Sequence, residues 1–378
     1  MKRLRWITAV LVAAATATTI WMLTTRAEFL DLGVYRWAAQ ALDANASLYD
    51  MAQPVTGLRF TYPPFAALLF WLAEPLQLLT PIIWTIGSLL AAGRMSWLVA
   101  RAARVPWAAL AILALFIVIE PSQETLRLGQ INFFLGWLIL EDLLGPRRRW
   151  SGALVGLAAA IKLTPAIFIV YLAVTGRWRA AIVALATIAL TIAIGFAALP
   201  TESRDFWGGA AFDAGRVGAP EMVGNQSIDG VLWRLLETEH QLTWLLLAGA
   251  VALGCLALAR RAHRVGDELI AVGLVALAGL FASPVSWTHH WVLALPLLVA
   301  LWFASRRRRA ARGIVAAAYL VLGSRLLWRL PHEGGLEFAY TPAQQLVASA
   351  YVLVGAALLT AAWLVRPQLG VIGARSDS

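Results

Sequence analysis

The chain has almost no lysine and almost no cysteine. Of its 378 residues, only Lys2 and Lys162 are lysine and only Cys255 is cysteine. A lone thiol excludes an internal disulfide and a cysteine-based metal site. Charge of any kind is scarce as well. Asp, Glu, Lys and Arg make up 14% of the residues against 60% for the apolar types, and mean hydropathy is +0.72. A soluble fold of this length cannot hide that much apolar surface. No long polar stretch follows the first apolar run, 7–23, so it is read as a retained membrane helix behind "MKRLRW" and not as a cleaved signal. Heavy use of Arg and Ala points to a GC-rich bacterial genome.

Apolar runs of membrane length recur along the whole chain. They predict an all-α, polytopic transmembrane helical bundle, treated as one membrane domain over 1–378. Residues 1–200 form its core, and 200–378 carry a second outer loop and the C-terminal helices. About twelve membrane helices are expected, near 7–24, 76–100, 106–120, 130–145, 151–163, 166–175, 180–199, 242–260, 267–282, 290–305, 313–330 and 344–365.

The net charge of +10 is carried by arginine clusters: "MKRLR", "RAAR", "RRR", "RWR", "RRAHR", "RRRRAAR" and the tail from Arg366. All seven fall on one side, the cytoplasmic one, if two segments do not cross. "TYPPFAALLFWLAEP" is interrupted by Pro63, Pro64, Glu74 and Pro75, so Tyr62 to Ala73 is read as a helix lying on the outer surface. "SGALVGLAAAIKLTPAIFIVYLAV" has basic flanks at both ends, so Pro165 marks the turn of two short helices that dip in and return. The charge is then a topology signal and a contact for membrane lipids, with no nucleic-acid surface. The longest loops, roughly 25–75, 120–129, 200–241 and 331–343, face outward, and any site should open there.

Several polar residues sit where they are costly. Lys162 lies at the tip of the broken pair, where it either snorkels outward or holds an anion such as a phosphate. Arg127, Gln130 and Asn132 stand at a helix N-terminus, which favours anions and also simple capping. Asn225 and Gln226 precede another helix, as caps or as sugar contacts. His289 and His290 project about 100° apart, so they do not both face lipid. No further ligand follows them at helical spacing, so a metal site is not expected there. Trp287 beside them either stacks on a sugar or belongs to the interfacial belt. Asp31, one turn past the first membrane helix, caps a helix, pairs with Arg36 as an interfacial acid, or serves as a general base. One carboxylate suffices to take a proton from an attacking sugar hydroxyl. A leaving phosphate needs only cations, which Lys162, Arg127 or a histidine can supply. The chain has no D-x-D metal motif, which suits a lipid-phosphate donor better than a nucleotide sugar.

Six segments in order, "FLDLGVYRWAAQAL", "FTYPPFAALL", "LGQINFFL", "AAAIKLTPAI", "NQSIDGVLWR" and "SPVSWTHHWV", resemble glycosyltransferase family 87 of the polytopic GT-C class. That family includes actinobacterial mannosyltransferases of phosphatidylinositol mannosides and lipomannan. The resemblance covers residues 28–300. It implies a GT-C membrane bundle with outer-surface helices, a polyprenyl-phosphate-mannose donor, a glycolipid acceptor and an inverting transfer, often α-1,2. Asp31 takes the position of the catalytic base. Lys162, His289, His290 and Arg127 become candidates for the donor phosphate. Tyr35, Tyr62, Gln130, Asn132, Asn225, Gln226 and Trp287 become candidates for sugar or acceptor. No cofactor is implied, and the site faces outward from a bacterial plasma membrane. Two rivals are a transferase of another polyprenyl-phosphate sugar, such as arabinofuranose, and a lipid or anion flippase.

Overall fold

The computed structural model describes residues 2–73, 80–238, 240–332 and 334–365. Glu74, Pro75, the start of the expected 76–100 helix and the basic tail from Arg366 lie outside them. The regular elements among the described residues are all helices, with two isolated β-bridges, Ala52 with Arg59 and Asn225 with Trp287. In chain order the helices are α1 Lys2–Thr25, α2 Leu30–Asp43, α3 Pro64–Ala73, α4 Thr80–Ala102, α5 Ala109–Ile117, α6 Glu120–Leu128, α7 Asn132–Leu144, α8 Ala153–Ile161, α9 Ile167–Val174 and α10 Trp178–Ala198. They continue with α11 Pro200–Gly208, α12 Ile228–Leu236, α13 Gln241–Arg264, α14 Glu268–Ala282, α15 Leu295–Ala304, α16 Arg309–Gly323, α17 Pro342–Ala348 and α18 Ala350–Val365.

Twelve membrane helices were expected. Among the described residues four are long and apolar enough to cross a bilayer: Trp6–Thr25, Thr80–Ala102, Trp178–Ala198 and Gln241–Arg264. Two bent pairs raise the number to six if each is one span. Pro106–Ile117 turns by 72° into Glu120–Leu128, and Pro342–Ala348 by 67° into Ala350–Val365. Elsewhere the apolar runs are cut short by turns that hydropathy does not register. The run expected over 313–330 stops at Gly323, and Arg325 then adopts φ +52°.

The chain forms two compact units that interleave in sequence. One gathers Met22–Ala91 and Thr125–Ala219, and the other Met1–Trp21, Ala92–Glu124 and Pro220–Ser378. They are called below the aspartate unit and the histidine unit.

In the aspartate unit α8 and α10 run side by side in the same direction. A Cβ on Gly152 would stand 1.9 Å from the Ala180 carbonyl oxygen, and one on Gly156 2.5 Å from that of Ala184. Only glycine allows this approach. Helix α8 ends at Lys162, whose backbone is extended, and a 3-10 turn over Thr164–Ala166 leads into α9. Helix α9 then delivers the chain back to the start of α10, where Arg177 N–H donates to Leu172 O. Residues 152–176 thus go out and return, with Lys162 and Pro165 at the turn, as expected for the broken pair. Helix α3 is apolar over its described residues, Pro64–Ala73, and packs beside α2.

In the histidine unit α14 is buried on nearly every face, as its all-round apolar sequence requires. Gly273 lets it meet α15, since a Cβ there would lie 2.6 Å from Leu297 Cβ. Gly355 on α18 similarly makes room for Phe281 and the buried Trp291.

Candidate functional site

Asp31 stands in the first turn of α2, where the helix dipole favours an acid. No side chain caps this helix. Its start is held from outside: the N–H groups of Glu28 and Phe29 donate to Arg127 O at 3.1 and 2.9 Å. Gly129, at φ +70°, makes that docking possible, because a Cβ there would fall 2.7 Å from Leu32 Cβ. The "LGQIN" turn is thereby laid against the first turn of α2.

The result is a polar cluster assembled from four distant segments. Gln130, 3% exposed, donates its amide to the Asp31 carboxylate. Its Oε1 accepts from Tyr35 Oη at 3.1 Å and Tyr62 Oη at 3.3 Å, and the two phenol oxygens are 2.8 Å apart. Tyr35 stacks on Phe70 of α3 with centroids 4.3 Å apart, which fixes the hydroxyl. Lys162 Nζ lies 5.5 Å from the centre of the Tyr62 ring, and its charge acts on Asp31. Asp31 itself keeps partial access to solvent.

Burial pushes the Asp31 carboxyl up to about 6, and the Gln130 hydrogen bond, Lys162 and Arg127 restrain the rise in that order. Burial also drives the phenols of Tyr35 and Tyr62 above their ordinary range, so both remain proton donors. This is a carboxylate poised to accept a proton near neutral pH, beside a cation and a row of neutral donors.

Arg127, a candidate for the phosphate, forms an ion pair with Glu28, Nη1 to Oε1 2.5 Å. Its charge still reaches Asp31. Asn132 begins α7 and donates to Thr125 Oγ1 at 3.4 Å, within the same unit.

The other predicted residues belong to the histidine unit and form their own cluster. His289 and His290, both buried, meet edge to face with centroids 4.7 Å apart in a 3-10 turn over Thr288–Ala294. Two of the sequence motifs prove to be zipped together there. Gln226 N–H donates to Ser286 O at 2.8 Å, Thr288 N–H donates to Gly224 O at 3.0 Å, and Trp287 bridges Asn225.

Asn225 and Gln226 were expected to touch sugar, and the structure commits their amides elsewhere. Asn225 Nδ2 donates to the carbonyls of Pro220 and Pro284, while its Oδ1 accepts from the N–H groups of Ser227 and Ser286. Gln226 Nε2 donates to Val223 O and Ala348 O, and its Oε1 accepts from Tyr351 N–H. Both side chains are 0% exposed. With every amide hydrogen used, they brace the loop that carries the histidines. Asn225→Ala is therefore expected to destabilise the protein by about 2–4 kcal/mol by stranding buried backbone groups. Thermal unfolding would read the loss, with KM for donor and acceptor nearly unchanged in protein that survives purification.

Three buried charges in this unit escaped the sequence reading. Glu120, 1% exposed, accepts from Trp328 Nε1 at 2.7 Å and from the hydroxyls of Tyr351 and Thr288. Glu124 pairs with Arg325, and Arg234 donates to the carbonyls of Glu221, Met222, Asn225 and Ala348. Their only signal was charge at the edge of an apolar run, which interfacial residues share. Among the described residues no group of three His, Cys, Asp or Glu side chains is placed to hold a metal ion.

Residues 60–286 match the model of Glycosyltransferase family 87. Curated proteins similar to the chain include a polyprenol-phosphate-mannose-dependent alpha-(1-2)-phosphatidylinositol mannoside mannosyltransferase of Mycobacterium tuberculosis. It is 34% identical over 319 residues, covering 78% of this chain and 75% of that protein. A polyprenol-phosphate-mannose-dependent alpha-(1-2)-phosphatidylinositol pentamannoside mannosyltransferase of Mycobacterium tuberculosis is 37% identical over 78% of this chain and 71% of its own length. Its namesake from Mycolicibacterium smegmatis is 35% identical over 76% and 72%.

Proposed function

The chain belongs to glycosyltransferase family 87, and from that membership we propose that it moves mannose from polyprenol-phosphate-mannose to a mannosylated phosphatidylinositol, forming an α-1,2 bond. Membership sets the flippase reading aside. The substrates follow the printed names of the relatives. The observation that carries the chemistry is the joining of Asp31 and Lys162 around Gln130 and Tyr62.

In this mechanism the acceptor 2-hydroxyl oxygen attacks the anomeric carbon of the donor mannose. The bond from that carbon to the phosphate oxygen breaks, and the electron pair leaves with the prenyl phosphate. Asp31 takes the hydroxyl proton, and Lys162 stabilises the charge that develops on the departing phosphate. Tyr35, Tyr62 and Gln130 supply a fixed polar wall on which sugar hydroxyls can be oriented. His289, His290 and Trp287 belong to the histidine unit, and no step of this mechanism is assigned to them. Seven basic clusters, read as cytoplasmic, support a site at the start of α2 that faces outward.

Incubation of the purified protein with polyprenyl-phosphate-mannose and phosphatidylinositol mannosides, followed by mass spectrometry, tests this reading. One added hexose on the acceptor is expected. Transfer from an arabinofuranosyl donor in place of mannose would overturn the sugar assignment.

The pH dependence follows from Asp31. The ionised form is the base, so kcat/KM should be flat above about pH 6 and fall roughly tenfold per unit below it. The Gln130 hydrogen bond favours the ionised form. Gln130→Leu should therefore move the acid limb of the pH–rate profile upward. An unmoved limb would show that the titrating group is not Asp31.

A further inference from the structure

The last three turns of α4 carry two arginines that the mechanism does not use. Ile83, Ile86, Leu90, Arg94, Trp97 and Arg101 recur at steps of three and four residues, so they share one side of this membrane-length helix. Ile83, Ile86, Leu90 and Arg101 are exposed and Arg94 and Trp97 half-buried, whereas Met95, Ser96 and residues 98–100 are buried. The apolar length of this face thus ends in a cationic patch. Both guanidiniums lie on the Trp97 ring, Arg94 Cζ 4.4 Å and Arg101 Cζ 4.9 Å from its centre. Arg101 reaches back along the helix, the usual direction for a helical side chain. Arg94 reaches forward. Its backbone stands about 12 Å inside the end of α4, so the forward reach carries its charge out of hydrocarbon. Arg148 on Trp150 and Arg312 on Trp302 repeat the pairing in other basic clusters, and Trp97 takes two cations.

We propose that Arg94, Trp97 and Arg101 bind the phosphate of an anionic phospholipid whose acyl chains run along Leu90, Ile86 and Ile83. Two cations drawn to one ring, no more than about 9 Å apart, repel each other, and an anion between them turns that repulsion into attraction. Contact through the ring face leaves donation to the edge of a guanidinium, which matches the oxygens of a phosphate. A free phosphate would satisfy the charges but not the exposed apolar line beside them. A phospholipid matches both, in the order in which headgroup and chains are joined. The indole then stands at the boundary between them, as interfacial tryptophans do. The basic clusters, read as cytoplasmic, make this a site of the inner leaflet, so its lipid is neither donor nor acceptor of the proposed transfer.

The test is native mass spectrometry of the full-length protein, released from nanodiscs of equal parts dioleoyl-phosphatidylglycerol and dioleoyl-phosphatidylcholine. The lipid held most tightly by wild type should be phosphatidylglycerol. An arginine at a headgroup is worth about fivefold in affinity. Arg94→Gln and Arg101→Gln should therefore each lower the preference of that last lipid for phosphatidylglycerol about fivefold, and Trp97→Leu about two- to fivefold. The reference is Arg147→Gln with Arg149→Gln, which removes as much charge as the α4 double variant from an exposed cluster and should leave the preference unchanged. The preference is a ratio measured on one protein, so a general loss of stability does not imitate the effect. If Arg94→Gln does not fold, Arg101→Gln and Trp97→Leu decide. Three outcomes overturn the proposal. Wild type shows no preference, the reference variant loses as much as the α4 double variant, or inorganic phosphate displaces the phosphatidylglycerol and so marks a free-phosphate site.

Discussion

Asp31→Asn is expected to fold, to bind the lipid donor with near-normal KM and to lose about 10²–10⁴ in kcat. The substitution keeps the shape and the contact to Gln130, and removes only the capacity to take a proton. It also spares the fold, because the carboxyl is ionised against the pull of burial. An amide there relieves that penalty. Two readouts separate the base from a merely structural acid. Thermal stability should be equal to or above that of wild type. The acid limb near pH 6 should vanish from whatever activity is left. Asp31→Glu places a carboxylate about one methylene too far and should recover part of the rate, as positional catalysis requires. Transfer by Asp31→Asn within a few-fold of wild type would remove Asp31 from the mechanism.

Lys162→Met is expected to lower kcat by about 10²–10³, in the range seen when one group stabilising a developing negative charge is deleted. Methionine matches the length and the apolar stem of lysine, so the turn before Pro165 should be kept. The donor KM should rise as well, since the charge faces the phosphate before and during departure. A second consequence is independent of the substrate. Lys162 holds the Asp31 carboxyl down, so its loss should shift the acid limb upward, in the same direction as Gln130→Leu. The double variant Asp31→Asn with Lys162→Met should cost much less than the product of the single effects, because both act on one step. Strict multiplicativity would show that the lysine serves elsewhere.

The site was only partly legible in the chain. Asp31, Lys162, Tyr62 and Gln130 stood in separate short motifs, and each had an ordinary alternative as a cap or interfacial group. Their joining depends on Gly129 lying against α2 and on α8 running along α10, close approaches with no local sequence pattern. Asn225 and Gln226 show the opposite error. Polar residues in an outer loop suggested ligand contacts, yet burial turned them into braces for the histidine turn. Arg127 was read by its charge, and the structure adds Glu28 as an ion-pair partner that the sequence did not indicate.

The chain alone determined that the molecule is helical and membrane-embedded, because a mean hydropathy of +0.72 admits no soluble alternative and hydrocarbon requires internally satisfied backbone. It also determined that the segment around Lys162 turns back, since basic flanks bracket a run interrupted by Pro165. Only the tertiary structure decided how long each helix runs and which polar groups meet. Those depend on close contacts between residues far apart in sequence, and periodicity and composition carry no information about such contacts.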